Sequence, residues 1–287
     1  MNIATRSATK EILSKYGIKA YKPLGQNFLT DPHVLGKIVK AAQISKADAV
    51  LEIGPGIGGL TQALAENAGH VCAVEMDFKL AAVLSETMKA YSNIDIITGD
   101  ILEYDIASYM ESRKNFNHKV VANLPYYITT PIVMKLLENF TFKSLTVMVQ
   151  KEVARRMVSG VGNKSYGALS LAVQYHGAAE IAAYVPENSF FPRPTVGSAV
   201  VHIDVYEAPI VKADKISLFK NIRAGFGQRR KTLVNSLFGA ELYPLAKEEL
   251  DGLITSCGLK SNVRAEELNL DDWAKLTEEL LKKAGEI

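Results

Sequence analysis

From about residue 48, short runs of apolar residues alternate with longer stretches in which apolar residues recur every three or four positions. The short runs have the length and composition of buried β-strands, and the longer stretches have the period of amphipathic helices. Strands are predicted at 49–53, 71–75, 94–98, 119–123, 144–149, about 181–185 and 198–205. Helices are predicted at 59–67, 78–90, 131–140, 150–159 and 167–177. This alternation predicts a Rossmann-like, doubly wound α/β fold, with a mostly parallel seven-stranded sheet between two layers of helices.

The last two predicted strands are joined by a short, proline-rich connection, VPENSFFPRPTVG, at residues 185–197. This connection has no room for a crossover helix, so the two strands are expected to run antiparallel. Beyond Pro209 the strand pattern stops, and residues 214–285 have the pattern of several short amphipathic helices. We therefore predict an α/β domain over residues 1–209 and a small helical domain over residues 210–287.

The composition, with 48% hydrophobic and 22% charged residues, is typical of a globular protein. No apolar run approaches the ~18–20 residues that span a bilayer. Arg6, Lys10 and Lys15 stand where a signal peptide needs apolar residues, so we expect a cytoplasmic protein without a membrane partner. Cys72 and Cys257 have no other metal-ligating residues at zinc-site spacing, so we expect neither a metal site nor a disulfide.

Charge is segregated along the chain, although the net charge is only +2. Residues 1–40 contain seven basic and two acidic residues, residues 211–240 contain seven and one, and residues 241–287 are acidic. Two basic surfaces favour contact with a phosphate backbone, although charged faces that are merely solvated give the same pattern. The candidate RNA-binding residues of the second basic segment are Arg223, Arg229, Arg230 and Lys231.

A glycine-rich turn follows the first strand of the sheet. Gly54, Gly56 and Gly59 lie between the strand at 49–53 and the next helix, and Glu75 ends the following strand. Glycines let the backbone pass close to a ligand, and an acid at this spacing binds ribose hydroxyls in dinucleotide-binding folds. The pattern predicts an adenosine-containing ligand and leaves NAD and S-adenosylmethionine open.

The strand at 119–123 ends in Asn123-Leu124-Pro125-Tyr126, which resembles the (D/N/S)-x-P-(Y/F/W) motif of amino-group methyltransferases. An exocyclic amine of adenine is a poor nucleophile because its lone pair is delocalised into the ring. The Asn123 side-chain carbonyl and the Leu124 main-chain carbonyl could accept both amine hydrogens, and Tyr126 offers a ring face to the base. This motif favours S-adenosylmethionine over NAD.

Two further segments contain candidate cofactor contacts. Asp100 follows the strand at 94–98, where its carboxylate could accept from the amino group of the cofactor's adenine, although it fits a turn or helix N-cap equally well. The polar and aromatic segment LGQNFL, at residues 24–29, precedes the first helix of the sheet domain. Its spacing alone indicates little.

Together these segments resemble the ribosomal RNA adenine dimethyltransferases, and within them the kasugamycin-sensitivity methyltransferases, which dimethylate two adjacent adenines near the 3′ end of small-subunit ribosomal RNA. The resemblance covers about residues 20–270 and rests on GQNFL, EIGPGIGGLT, VEMD, GD, NLPYYI, QKEVARRM, the segment from Val185 to Val201, and FGQRRKTL.

The resemblance implies a class I methyltransferase that uses S-adenosylmethionine, releases S-adenosylhomocysteine, and acts on the immature small ribosomal subunit. Nothing in the pattern demands a dimer, so we expect a monomer. The implied cofactor contacts are Asn27, Leu29, Gly54, Glu75, Asp100 and Asn123. Asn123, Leu124 and Tyr126 are implied to hold the target base, and Phe190 to stack on the base from the opposite side once it is flipped out. Thr195 and Gly197 depart from the family pattern FxPxPKVDS, which puts the rigidity of that loop or an RNA contact in doubt.

Three alternatives remain at this stage. Macrolide-resistance methyltransferases of large-subunit RNA share the QNF and NxPYxI motifs, but QRRKTL at 228–233 resembles the small-subunit branch. If this segment is helical, at most two of its three cations can contact phosphate together.

A ribosome-assembly checkpoint factor, for which binding matters more than methylation, is also compatible with the sequence. An NAD-dependent dehydrogenase leaves the segment from Asn123 to Tyr126 without a role.

Overall fold

The computed structural model describes residues 2–18, 26–139, 142–228 and 230–285. The chain divides into two compact units. The first unit comprises Met1–Ala154 and Ala178–Val205, and the second comprises Arg155–Gly177 and Tyr206–Ile287. No helix in the described part of the chain is long and apolar enough to cross a membrane.

The first unit is built on a seven-stranded sheet with the strand order β4-β3-β2-β5-β6-β9-β7. Five of these strands run parallel, and β9 is antiparallel to β6, which confirms the predicted doubly wound fold. The strands of the protein are β1 (Phe28–Leu29), β2 (Asp48–Ile53), β3 (His70–Glu75), β4 (Ile94–Thr98), β5 (Asn117–Asn123), β6 (Ser144–Gln150), β7 (Gly177–Val185), β8 (Phe190–Phe191) and β9 (Ser198–Val205).

Helices cover the sheet between its strands. Those of the first unit are α1 (Arg6–Lys15), α2 (Pro32–Ala42), α3 (Gly59–Asn67), α4 (Phe78–Thr87), α5 (Ile106–Ser112) and α6 (Thr129–Asn139), and α7 (Lys151–Val158) leads into the second unit. All six residues of β2 are buried, as expected for a strand with helices on both faces. The parallel strands β2, β3, β4 and β5 end at the same edge of the sheet, so the residues after them converge there.

The opposite end of the sheet contains a buried ion pair. Lys119 Nζ lies 3.1 Å from Asp48 Oδ2, and both side chains are almost completely buried. The lysine also donates to the main-chain carbonyls of Ala42 and Gln43, at 3.2 and 2.7 Å. These partners compensate a charge that burial alone would strongly destabilise.

A small second sheet lies apart from the main one. β1 pairs antiparallel with β8, with Phe28 opposite Phe191 and Leu29 opposite Phe190. The main chain of Thr30 then donates to the Ser189 carbonyl at 2.8 Å. This pairing ties the segment before α2 to the loop before β9.

The second unit is helical. It contains α8 (Ala168–His176), α9 (Lys215–Phe226), α10 (Leu233–Gly239), α11 (Lys247–Ser256) and α12 (Leu270–Ala284). Trp273 of α12 is completely buried, and a Cβ on Gly225 of α9 would lie only 2.4 Å from its Cη2. Close packing of α9 on α12 therefore requires glycine at this position.

The division differs from the prediction over residues 155–177, which the sequence analysis assigns to the α/β domain. In the structure these residues pack with the C-terminal helices. The Tyr166 hydroxyl donates to the Leu268 carbonyl at 2.9 Å, and the Tyr175 ring packs edge-on against Phe219 at 5.2 Å. The regular alternation of strands and helices contains no trace of these contacts, because they join residues far apart in the sequence.

Candidate active site

A cleft opens at the carboxyl edge of the sheet. It is lined by residues 26–29, by the glycine turn after β2, and by the residues that follow β3, β4 and β5. Eight predicted site residues line it: Asn27, Leu29, Gly54, Glu75, Asp100, Asn123, Leu124 and Tyr126. The eight residues therefore converge at one edge of the sheet, as the positions of those at or after the ends of the parallel strands predict, and their individual roles stay predictions.

The glycine turn lies close under the cleft. Gly54 and Gly56 have φ angles of +67° and +60°, which side chains rarely adopt. A Cβ on Gly56 would lie 3.0 Å from Cε1 of Phe28, and one on Gly54 would lie 3.7 Å from the Pro125 ring. Glycine is therefore required at both positions for the backbone conformation, and at position 56 a side chain would also press on the Phe28 ring.

Glu75 connects the end of β3 to this turn. Its Oε2 accepts the main-chain N–H of Gly56 at 3.0 Å, and its Oε1 accepts that of Asp77 at 3.0 Å. Burial raises the pKa of the carboxyl, and these two hydrogen bonds oppose the rise. Glu75 thus fixes the glycine turn and borders the cleft at the same time.

Glu52 also lines the cleft, although the sequence analysis does not single it out. Its carboxyl group is buried in β2, and Oε2 has no hydrogen-bond partner among the described residues. Burial raises its pKa to about 8, and the negative charge of Glu75 adds to the rise. The sequence feature that could have identified Glu52 is an acid among the apolar residues of the predicted strand 49–53. Burial of such an acid is costly unless a ligand interacts with it.

Asn123 is held at the end of β5 by a specific contact. Its side-chain Nδ2 donates to the Asn27 carbonyl at 3.2 Å. This contact assigns the other end of the amide, Oδ1, as the acceptor available to a ligand. The Leu124 N–H donates to the Met148 carbonyl at 3.1 Å, which anchors the motif to β6.

Two tyrosines follow in the same motif. The Tyr126 hydroxyl lies 2.6 Å from the Ser198 hydroxyl of β9, and burial raises its pKa. Tyr127 also lines the cleft and is 50% exposed. Partial burial raises the pKa of Tyr127, and the charges of Asp100 and Glu75 add to the rise. Asp100 itself accepts the Leu102 N–H at 2.8 Å, so it also serves as a turn residue.

Phe190, which is predicted to stack on the target base, lies in the core, and its stacking role stays a prediction. Its side chain is 0% exposed and packs in the core with Leu29, Met148 and Val185. Phe190 is paired with Leu29 across the small sheet, and alternation along β8 turns Phe191 the other way. Phe191 is partly exposed, and Arg6 and Lys10 lie over its ring.

The basic residues of the second unit are exposed but are not all helical. Arg223 lies on α9, whereas Arg230 and Lys231 lie in the turn between α9 and α10. The Lys231 N–H donates to the Gln228 carbonyl at 2.9 Å, and Thr232 caps α10. A helix would let at most two of three consecutive cations contact phosphate together. Because Arg230 and Lys231 lie in a turn, this limit does not apply to them. Arg229 lies outside the described residues.

The charge of the cleft distinguishes between the two adenosine cofactors. Among its described lining residues, Glu52, Glu75 and Asp100 are acidic and none is lysine, arginine or histidine. NAD would bring a negatively charged pyrophosphate, whereas S-adenosylmethionine brings a sulfonium and an ammonium group. A cation near Glu52 would also favour the ionised form of its carboxyl. The residues present therefore fit S-adenosylmethionine.

Comparisons with known proteins agree with this chemistry. The family model for ribosomal RNA adenine dimethylase matches residues 17–282. A ribosomal RNA small subunit methyltransferase A of Lachnoclostridium phytofermentans is 50% identical over 274 residues, which cover 94% of each chain.

Two solved structures share the fold over most of the chain. A dimethyladenosine transferase from Plasmodium falciparum superposes with a TM-score of 0.75 at 26% identity, over 89% of this chain and 97% of that one. The 23S rRNA methyltransferase ErmE superposes with a TM-score of 0.66 at 25% identity, over 88% and 99% of the two chains. From the motifs, the cleft and the extent of these matches, the chain belongs to the ribosomal RNA adenine dimethylase family.

Proposed function

We propose that this protein transfers methyl groups from S-adenosylmethionine to the exocyclic N6 amines of two adjacent adenines in the 3′-terminal hairpin of small-subunit ribosomal RNA. The observation that carries the proposal is the fixed amide of Asn123, whose Nδ2 is engaged by Asn27 at the edge of an acidic cleft. The product of the proposed reaction is dimethyladenosine in the RNA of the immature small subunit.

The cofactor would be held by the residues that converge at this edge. When bound, S-adenosylmethionine supplies an electrophilic methyl group on a positively charged sulfur. Gly54 admits the ligand close to the backbone, and Glu75 accepts from the ribose hydroxyls. Asp100 would accept from the adenine amino group, and Asn27 and Leu29 would also contact the cofactor.

The target adenine would be held by the end of β5. The Asn123 Oδ1 and the Leu124 carbonyl accept the two hydrogens of the N6 amine and draw its lone pair out of conjugation with the ring. The Tyr126 ring stacks on the base, and its hydroxyl contact with Ser198 fixes the ring orientation. Positioning of this kind removes much of the entropic barrier to a two-substrate reaction.

The reaction does not require a general base among these residues. Methylation makes the N6 amine strongly acidic, and its proton can pass to water once the carbon–nitrogen bond has formed. Catalysis is therefore assigned to positioning and to electrostatic stabilisation in the cleft. The expected absence of a metal cofactor and the expected monomeric state stay predictions.

The basic residues of the second unit would bind the RNA backbone. Arg223, Arg230 and Lys231 are exposed, which suits contact with phosphate oxygens. Sequence identity supports the small-subunit substrate, since several relatives named ribosomal RNA small subunit methyltransferase A are 44–50% identical to this chain. A checkpoint role would also depend on the second unit, because such a role requires binding to the immature small subunit and not methylation.

Primer extension on ribosomal RNA tests the proposal, because dimethylated adenine stops the polymerase. RNA is taken from a strain that lacks the gene, complemented with wild type, Asn123→Ala, or the exposed control Asn67→Ala. We expect stops at two adjacent adenines near the 3′ end of small-subunit RNA with wild type and Asn67→Ala only. Stops in large-subunit RNA instead would contradict the assigned substrate. Normal subunit assembly with Asn123→Ala but without stops would favour the checkpoint role.

A further inference from the structure

Two cations of α1 share one aromatic ring. The Arg6 guanidinium carbon lies 5.6 Å from the centroid of the Phe191 ring, and Lys10 Nζ lies 5.4 Å from it. Both side chains are exposed, and the two residues are one helical turn apart. We refer to these three residues as the Arg6–Lys10–Phe191 cluster.

The charge of this cluster is not neutralised within the described part of the chain. No acidic residue there forms an ion pair with Arg6 or Lys10, and the first turn of α1 contains no acid. Like charges one turn apart destabilise a helix. The ring attracts both cations but does not cancel their charge, so the cluster presents two positive groups to a partner outside the chain.

Neighbours of the cluster on two segments line the cleft. Thr9 of α1, next to Lys10 in the sequence, lines the cleft. Phe191 pairs across the small sheet with Phe28, which also lines the cleft and lies close to Gly56. The two cations and the ring therefore belong to segments, α1 and the small sheet, that both contribute residues to the wall of the cleft.

We propose that the Arg6–Lys10–Phe191 cluster binds RNA phosphates on the nucleotides next to the target adenine. The proposal rests on the proposed function. An adenine that enters the cleft remains joined to its chain by a charged phosphodiester on each side, and these groups must stay at the entrance. The ring holds the two long side chains in place before binding, so less conformational freedom is lost when phosphate binds.

The test uses the full-length protein and immature small subunits from a strain that lacks the gene. Arg6→Gln with Lys10→Gln removes both cations, and Lys37→Gln with Lys40→Gln removes two exposed lysines from α2, which does not line the cleft. Particle affinity is measured at several salt concentrations, together with cofactor affinity by calorimetry and the thermal midpoint. Phe191→Leu keeps both charges without the aromatic platform.

We expect the Arg6/Lys10 variant to bind particles about 10-fold more weakly at moderate salt. The slope of log affinity against log salt should fall by ~1.4, or ~0.7 for each of two contacts on single-stranded nucleic acid. Phe191→Leu should show a smaller loss of affinity. The α2 variant should bind like wild type, and cofactor affinity and thermal midpoint should not change in either charge variant.

Wild-type affinity and salt slope in the Arg6/Lys10 variant would overturn the inference, as would an equal loss in the α2 variant. The proposed function is checked separately in the same particles. If the wild-type protein methylates them while the Arg6/Lys10 variant binds normally, only the assignment of the cluster fails. If the wild-type protein leaves their small-subunit adenines unmodified, the proposed function fails.

Discussion

Replacement of Glu52 by Gln should stabilise the protein, and increasingly so as the pH rises. Glu52 is buried in β2, and its Oε2 has no hydrogen-bond partner among the described residues. Burial raises the pKa of this carboxyl from 4.5 to about 8. The folded state therefore binds the Glu52 proton more tightly than the unfolded state does, and the protein loses stability as that proton is removed.

The size of the effect follows from the shift. Each unit of pKa difference corresponds to ~1.4 kcal/mol, so the full shift corresponds to a loss of about 5 kcal/mol. Protonated Glu52 makes its full contribution to the free energy of unfolding below pH 4.5. This contribution declines as the pH rises and is fully lost above about pH 8. At pH 7 the loss is about 3 kcal/mol on the same scale. Gln keeps the shape of the side chain and cannot ionise.

Urea unfolding at pH 5, 7 and 8.5 measures this difference. The stability of Glu52→Gln relative to wild type should rise across the series by several kcal/mol, whereas the exposed control Glu103→Gln should show no such trend. Parallel pH profiles for wild type and Glu52→Gln would refute the argument, because the carboxyl would then ionise equally in both states. A residue retained at such a cost is expected to serve the ligand rather than the fold.

Three further variants test other parts of the structure. Glu75→Ala should weaken binding of S-adenosylmethionine by ~1–3 kcal/mol in calorimetry and leave particle affinity intact; unchanged cofactor affinity would remove Glu75 from the site. Arg230→Gln with Lys231→Gln should lower particle affinity and flatten its salt dependence without a change in cofactor affinity; an unaltered salt slope would mean that these cations are merely solvated. Asp48→Ala should destabilise the protein by about 3 kcal/mol in urea, because Lys119 would stay buried without its carboxylate; a loss below about 1 kcal/mol would show that the carbonyls of Ala42 and Gln43 suffice for the lysine.

The sheet and the cleft are largely predictable because their signals are local. Apolar runs and glycine spacing identify β2 and the turn after it, and parallel strands must end at one edge. The residues that follow them, such as Glu75 and Asn123, then have to converge. Glu52 also has a local signal, an acid among apolar strand residues, but only the structure shows that its carboxyl group is buried and borders the cleft.

The features that the sequence does not predict arise where contacts between distant segments decide the structure. β1 and β8 have two residues each, too few to produce an alternation pattern, and only their mutual pairing turns Phe190 into the core. Residues 155–177 join the second unit through contacts such as that of Tyr166 with Leu268. Neither pairing has a signature in the sequence around it.

The most direct test of the account is single-turnover methyl transfer to immature small subunits by Asn123→Ala. If Oδ1 positions the N6 amine, turnover should fall by at least ~100-fold, the loss typical of one precisely placed transition-state contact. Loss of the Nδ2 bond to Asn27 should cost only about 1 kcal/mol of stability, so folding should survive. A pull-down should show undiminished particle binding, and Asn67→Ala should react like wild type. Turnover within a few-fold of wild type in Asn123→Ala would contradict the positioning mechanism.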